Sequence, residues 1–200
     1  MAWIYFLAAC LASPTAQGAT PVVDDAVWTE LARVQRLEAR FVQVQQRAIL
    51  KVPLESGGHV TFSRPTTLSW AVEYPAASTF RLAGTLATMD MPDVGVHEVF
   101  DLAAAPDAGR LAASLLVWMQ ADAAAVARDF ESTWRQSPPG VVLRPRDPRL
   151  AALVTTLTLD LAPRPWRVQA VHYTEPDGDR VDIRFTEVVL DGTVTPDPGP

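Results

Sequence analysis

Val60, Phe62 and Arg64 alternate with Thr61 and Ser63, and Leu68, Trp70, Val72 and Tyr74 alternate with Ser69, Ala71 and Glu73. Side chains at every second position share one face of a strand, so this period prescribes half-buried strands with one apolar face. Residues 79–91 supply one or two further short strands, and strands resume around Trp134 and over 141–144, 155–161, 168–174 and 180–189. Ser56-Gly57-Gly58 and Arg64-Pro65 punctuate the early runs, the proline suiting a strand start or an edge. Pro176-Asp177-Gly178-Asp179 predicts a tight hairpin, because Asp-Gly supplies the positive φ angles such turns need. Connections this short make neighbouring strands antiparallel.

Two helical stretches interrupt the strands. Asp24-Asp25 can cap a helix that carries Val27, Trp28, Leu31, Val34 and Leu37 at three-to-four spacing, which predicts an amphipathic helix from 25 to about 40. Residues 106–130 are Ala-rich, with Leu111, Leu115, Trp118 and Met119 on one helical face, and two short helices broken near Gln120-Ala121 fit best. The order is helix, strands, helical insert, strands. The predicted class is α+β: one antiparallel sheet with its helices gathered on one face. A sheet of this size curls, and helices covering its concave side would enclose an apolar cavity rather than a flat core.

The 200 residues, 48% hydrophobic and 20% charged, suit one globular domain. A formal charge of −6 leaves no basic field to engage phosphates, which argues against a nucleic-acid partner. His59, His97 and His172 are scattered, and Asp101 stands where an H-E-x-x-H motif starting at His97 needs its last ligand, so no metal or other cofactor is expected. Asp177-Gly178-Asp179 lacks the remaining ligands of a calcium loop and reads as the hairpin turn. No nucleophile elbow or phosphate-cradling loop is present, and no catalytic residues are assigned. The expectation is a protein that is not an enzyme.

The first eighteen residues are uncharged, with an apolar run from Ala2 to Ala12 and then Ser13-Pro14, the layout of a signal peptide over 1–18. Two processing sites compete. Ala16-Gln17-Gly18 suits ordinary signal peptidase and a released protein, whereas Leu7-Ala8-Ala9-Cys10 has the form of a lipobox and would tether the chain through Cys10, its only cysteine. Only nine residues, none basic, precede Cys10, which favours release after Gly18. The mature domain is then 19–192, followed by a Pro-rich tail, 193–200, expected to be disordered.

One stretch places a charge beside the apolar face. Arg64 follows Val60 and Phe62 on the same strand face, where its donors need carbonyl or carboxylate partners unless the head snorkels to water. The run Leu37 through Phe41-Val42-Gln43, then Ser56-Gly57-Gly58, Arg64-Pro65 and Trp70, resembles the N-terminal half of the LolA-like periplasmic lipoprotein carriers. Val142-Leu143-Arg144-Pro145, Leu157-Thr158-Leu159-Asp160-Leu161 and the hairpin through Ile183-Arg184-Phe185 extend the resemblance over most of 25–192. It implies an incomplete β-barrel of about eleven antiparallel strands, closed by a helical lid over a cavity for acyl chains. It implies that Arg64 holds the lid through backbone carbonyls, that Phe62, Leu68 and Trp70 line the cavity wall, and that Leu115, Trp118 and Met119 form the inner face of the lid. An ordinary core stripe would show the same spacing on the insert.

The implied function is a monomeric periplasmic carrier, taking a lipoprotein or other lipid from an inner-membrane donor complex to an outer-membrane acceptor. The alternatives are an anchored acceptor of the same fold, a lipid-binding sensor and, remotely, a lipid hydrolase. Leu82-Ala83-Gly84-Thr85 replaces the Asp-Gly turn of orthodox carriers, which marks a divergent member whose cargo need not be a lipoprotein.

Overall fold

The computed structural model describes residues 25–104, 117–163 and 165–196. Helix α1 (Asp25–Arg33) leads into β1 (Arg36–Gln46), β2 (Leu54–Ser63), β3 (Thr67–Tyr74), β4 (Ser78–Ala83), β5 (Leu86–Met91) and, past a 3-10 turn, β6 (Val96–Asp101). A helical segment at 117–120 and helix α2 (Ala123–Asp129) precede β7 (Phe130–Gln136) and β8 (Pro139–Pro145). Helix α3 (Pro148–Ala151), β9 (Thr156–Ala162), β10 (Arg167–Thr174), β11 (Arg180–Leu190) and β12 (Thr193–Val194) complete the chain. The strands form one antiparallel sheet in the order β6-β5-β4-β3-β2-β1-β11-β10-β9-β8-β7, with β12 added on β11. The ends of that order, β6 and β7, do not pair with each other, so the barrel is incomplete.

The curl is measurable from the side chains. Neighbouring strands lie roughly 4.8 Å apart, so a flat sheet would separate β3 from β11, three steps away, by roughly 14 Å. The ring centroids of Trp70 on β3 and Phe185 on β11 are 6.1 Å apart, and those of Trp70 and Phe41 on β1 are 4.4 Å apart. These side chains converge because they stand on the concave face of a strongly bent sheet. Val60, Phe62, Leu143, Leu159, Val171, Val181 and Ile183 share that interior and are buried. The opposite face is polar. All three histidines pair there with carboxylates: His59 with Glu73 at 2.9 Å, His97 with Asp90 at 2.5 Å, and His172 with Asp182 at 2.6 Å.

Several predicted boundaries move. The first helix stops at Arg33, and Arg36 to Gln46 is a strand; Ala39 and Phe41 are buried there while Glu38, Arg40 and Val42 are exposed, a period of two that overrides the helical spacing of Leu37. Gly57 and Gly58 lie inside β2 instead of ending it. A Cβ on Gly58 would meet the Ala71 carbonyl oxygen at 1.9 Å, so glycine there is what lets β3 approach. The expected break in the insert is present: helix 117–120 ends at Ala121, whose φ of 49° is left-handed, and Asp122 caps α2 by accepting from Ala125 N at 3.0 Å. Strand β6 and helix α3 were not anticipated.

The tail expected to be disordered is folded through residue 196. Thr193–Val194 pairs with β11, Thr195 is buried with its hydroxyl donating to Val188 O at 2.8 Å, and Pro196 O accepts from Arg167. Prolines follow this pairing, which is why composition alone misreads it. The signal peptide, Cys10, Leu111, Leu115 and residues 197–200 lie outside the described residues. Among the described residues no helix is long and apolar enough to cross a membrane.

Candidate functional site

Helix α1 turns Val27, Trp28 and Leu31 inward, and all three are buried. A nine-residue helix is marginal alone, so this packing is what keeps it folded. The insert contributes Val117, Trp118, Ala121, Ala125 and Val126 to the same interior. Between this helical layer and the concave face lies an apolar cavity of about 40 Å³. Its wall includes Val60, Phe62, Phe185 and Val188 from the sheet, and Leu31, Trp118 and Met119 from the helices.

Ligand pockets are usually roughly 300–1,000 Å³, and one water occupies about 30 Å³. The open cavity expected from the sequence is therefore closed in this structure. Large side chains fill it: Trp118 packs on Phe185 with ring centroids 6.4 Å apart, and Trp166 and Met119 project into the remainder. A chain of methylenes can enter only if the helical layer separates from the sheet.

On the outer side of that layer a wide cleft of about 650 Å³ runs between α1 and the insert, lined by Trp28, Ala32, Arg64, Gln120 and Ala124 among others. Ala121 lines both spaces, so the break in the insert forms the partition between them. Arg64 sits at this seam. Its Nε donates to Val34 O at 2.6 Å and its Nη2 to Leu31 O at 3.3 Å, while its own backbone N–H donates to Gln35 O at 2.9 Å. A helix leaves its last carbonyls without intrahelical donors and carries a partial negative charge at that end, so a guanidinium answers both demands. Burial lowers the pKa of Arg64 and the Asp191 carboxylate opposes that shift; the group stays charged. Its carbon centre lies 5.9 Å from the Phe62 ring centroid. Arg64 thus bonds to backbone carbonyls, but to those of Leu31 in α1 and Val34 just past its end, and not to those of the described part of the insert. The insert has its own tie one residue on, from Gln120 Nε2 to Pro65 O at 2.9 Å.

Of the predicted site residues, Phe62, Trp118 and Met119 line the cavity and Arg64 lines the cleft. Leu68 is buried in the surrounding core, and Trp70 packs behind the wall between Phe41 and Phe185. Sequence reasoning missed the cavity's contribution from Phe185, Val188 and Leu190 on β11, although their strand had been recognised. It also missed Arg167, a buried arginine at the cavity wall whose guanidinium donates to the carbonyls of Pro165 and Pro196.

Two polar details frame the chemistry. The indole Nε1 of Trp118 is buried and has no hydrogen-bond partner among the described residues. An unsatisfied buried donor costs about 1–3 kcal/mol. On the convex face, away from the cavity, His172 bridges Asp182 and Asp160, and Arg135 and Arg180 pair with the same carboxylates. Glu175, Asp177 and Asp179 bring carboxylate oxygens within 4.8 Å of one another, but Asp179 is engaged by Ala48 N–H and Arg47 and Glu175 by Arg47. Those groups fasten a turn.

A family model described as outer membrane lipoprotein carrier protein LolA matches residues 32–198, which takes in the whole sheet and the insert. No curated protein matches the chain. Among solved structures, a DUF1329 family protein from Desulfovibrio piger is 8% identical, with 86% of this chain and 94% of that one covered at a TM-score of 0.48. A LolA superfamily protein from Nitrosomonas europaea is 8% identical, covering 88% of this chain and 96% of that one at 0.43. The MucA/MucB complex of Pseudomonas aeruginosa gives 13% identity, 86% of this chain, 57% of that one and a TM-score of 0.44. All three scores are below 0.5, and the assignment rests on the sequence model. By that match over most of its length, the chain belongs to the LolA family of outer membrane lipoprotein carrier proteins.

Proposed function

We propose that the chain binds acyl chains between the concave sheet face and the helical layer, and carries a lipoprotein or another acylated lipid through the periplasm towards the outer membrane. The observation that carries this reading is the apolar cavity closed by α1 and the insert, two short elements whose side-chain ties at the seam are Arg64 and Gln120. In this reading the two elements are a lid and Arg64 is its latch. Each methylene moved from water into such an interior contributes about 0.8 kcal/mol. Charge-assisted hydrogen bonds of about 1.5–3 kcal/mol hold the lid closed yet yield to a chain of several methylenes. The protein acts as a monomer by binding and release, without catalysis, taking cargo from an inner-membrane donor and giving it to an outer-membrane acceptor.

The N-terminus separates this role from its neighbour. Release after Gly18 leaves a shuttle, whereas lipidation of Cys10, within Leu7-Ala8-Ala9-Cys10, leaves an anchored acceptor with the same binding surface. Intact-mass analysis of the exported protein, with extraction of co-purifying lipids, tests both points. The expected result is an N-terminus at Ala19 and bound acyl lipid. A protein that neither retains nor takes up acyl lipid contradicts the binding reading.

A further inference from the structure

Trp118 is the one cavity-lining side chain among the described residues whose buried donor has no partner. The only other orphaned side-chain atom among them is the Ser56 hydroxyl, which does not line the cavity. The indole is 6% exposed, and it is held by its packing against Phe185 at 6.4 Å. Its neighbours on the wall, Val60, Phe62, Met119 and Val188, have no oxygen in their side chains to offer it. The N–H is sealed from water in the closed state, so the group that can reach it is one that enters as the helical layer parts. That group must be a hydrogen-bond acceptor on an otherwise apolar molecule.

We propose that Trp118 Nε1 donates to a carbonyl oxygen of the bound lipid. The cavity then selects chains bearing an ester, amide or carboxyl carbonyl over plain hydrocarbon of the same length. This rests on the acyl-binding reading and sharpens it, because hydrocarbon burial alone does not distinguish an acyl chain from an alkane or a polyene. A lipid that satisfies the indole recovers what the closed state forgoes; a hydrocarbon leaves the donor unpaired.

The test uses methyl decanoate and dodecane, matched in length, each displacing 1-anilinonaphthalene-8-sulfonate from the full chain and from Trp118→Phe. The variant keeps an aromatic ring and loses the donor. Its affinity for the ester is expected to fall roughly tenfold relative to its affinity for dodecane, equivalent to about 1.4 kcal/mol. The ratio cancels any general effect of the smaller ring. In parallel, the indole ¹⁵N–¹H resonance of Trp118, assigned in the wild-type chain through its contacts with Phe185, is expected to shift downfield with the ester and not with dodecane. That measurement stands even if the variant fails to fold. An unchanged affinity ratio, or an unmoved indole signal with ester bound, overturns the role of Trp118 while leaving acyl binding intact. Binding of neither ligand overturns both.

Discussion

At the scale of single residues, Arg64 carries the clearest consequence. Its side chain donates to the carbonyls of Leu31 in α1 and Val34 just past it. Arg64→Leu therefore removes both charged donors and leaves Leu31 O only its weak bond from Val34 N at 3.3 Å. Hydrogen bonds to a charged group are worth about 1.5–3 kcal/mol, and a loss in that range is expected from chemical denaturation, with the sheet still folded. Cargo should be taken up but not handed on at the normal rate; transfer at the wild-type rate would remove the latch. The presence of a charge needing carbonyl partners was legible in the sequence, because Arg64 follows two inward-facing residues of a strand. Which helix supplied the carbonyls was not, since α1 and the insert are both apolar-faced and only the three-dimensional crossing brings Val34 and Leu31 to the seam.

Among the elements, the period of two is regular in β3, β9 and the first part of β11, which makes them readable from the sequence. Strand β8 buries adjacent residues and β10 is interrupted by a bulge between Val168 and Ala170, so these two are legible only as short apolar runs. The early part of β2 was readable in neither way. Two glycines normally mark a turn, and here Gly58 instead marks the closest approach of β3. Gly58→Ala is therefore expected to cost about 3 kcal/mol or more, measured as a lower denaturation midpoint; a neutral effect would mean that β3 yields without resistance. The β1–β2 and β10–β11 hairpins are joined at their ends by Asp179, which accepts from Ala48 N at 2.7 Å and from Arg47 at 3.1 Å. The Ala48 N–H, aided by Arg47, holds the Asp179 carboxyl below its ordinary value. A depressed folded-state pKa gives stability that is complete above the unfolded-state value and is lost as pH falls through the folded one. Asp179→Asn should therefore be less stable than wild type at neutral pH, with the gap shrinking as the pH drops below about 4. Thermal melts across that range check it, and a gap independent of pH contradicts the linkage.

For the whole molecule, the α+β architecture and the curl followed from strand count and from helices placed before and between the strands. The closed state did not. Sequence periodicity marks which faces are apolar, but whether two apolar faces enclose a void or touch depends on how Trp118, Met119, Trp166 and Phe185 interdigitate. With a cavity of about 40 Å³, the proposed binding of a much larger chain requires that packing to part. The helical layer is attached by apolar contact and a few polar ties, and parting it exposes a wall that is apolar apart from Arg167. The decisive measurement is photo-crosslinking of the delipidated full chain with a diazirine-bearing fatty acid, followed by peptide mapping. Adducts on the peptides carrying Phe62, Met119 and Phe185, competed away by unlabelled fatty acid, are the expected result. Saturable labelling confined to the convex face, or no competed labelling at all, would contradict acyl binding beneath the helical layer.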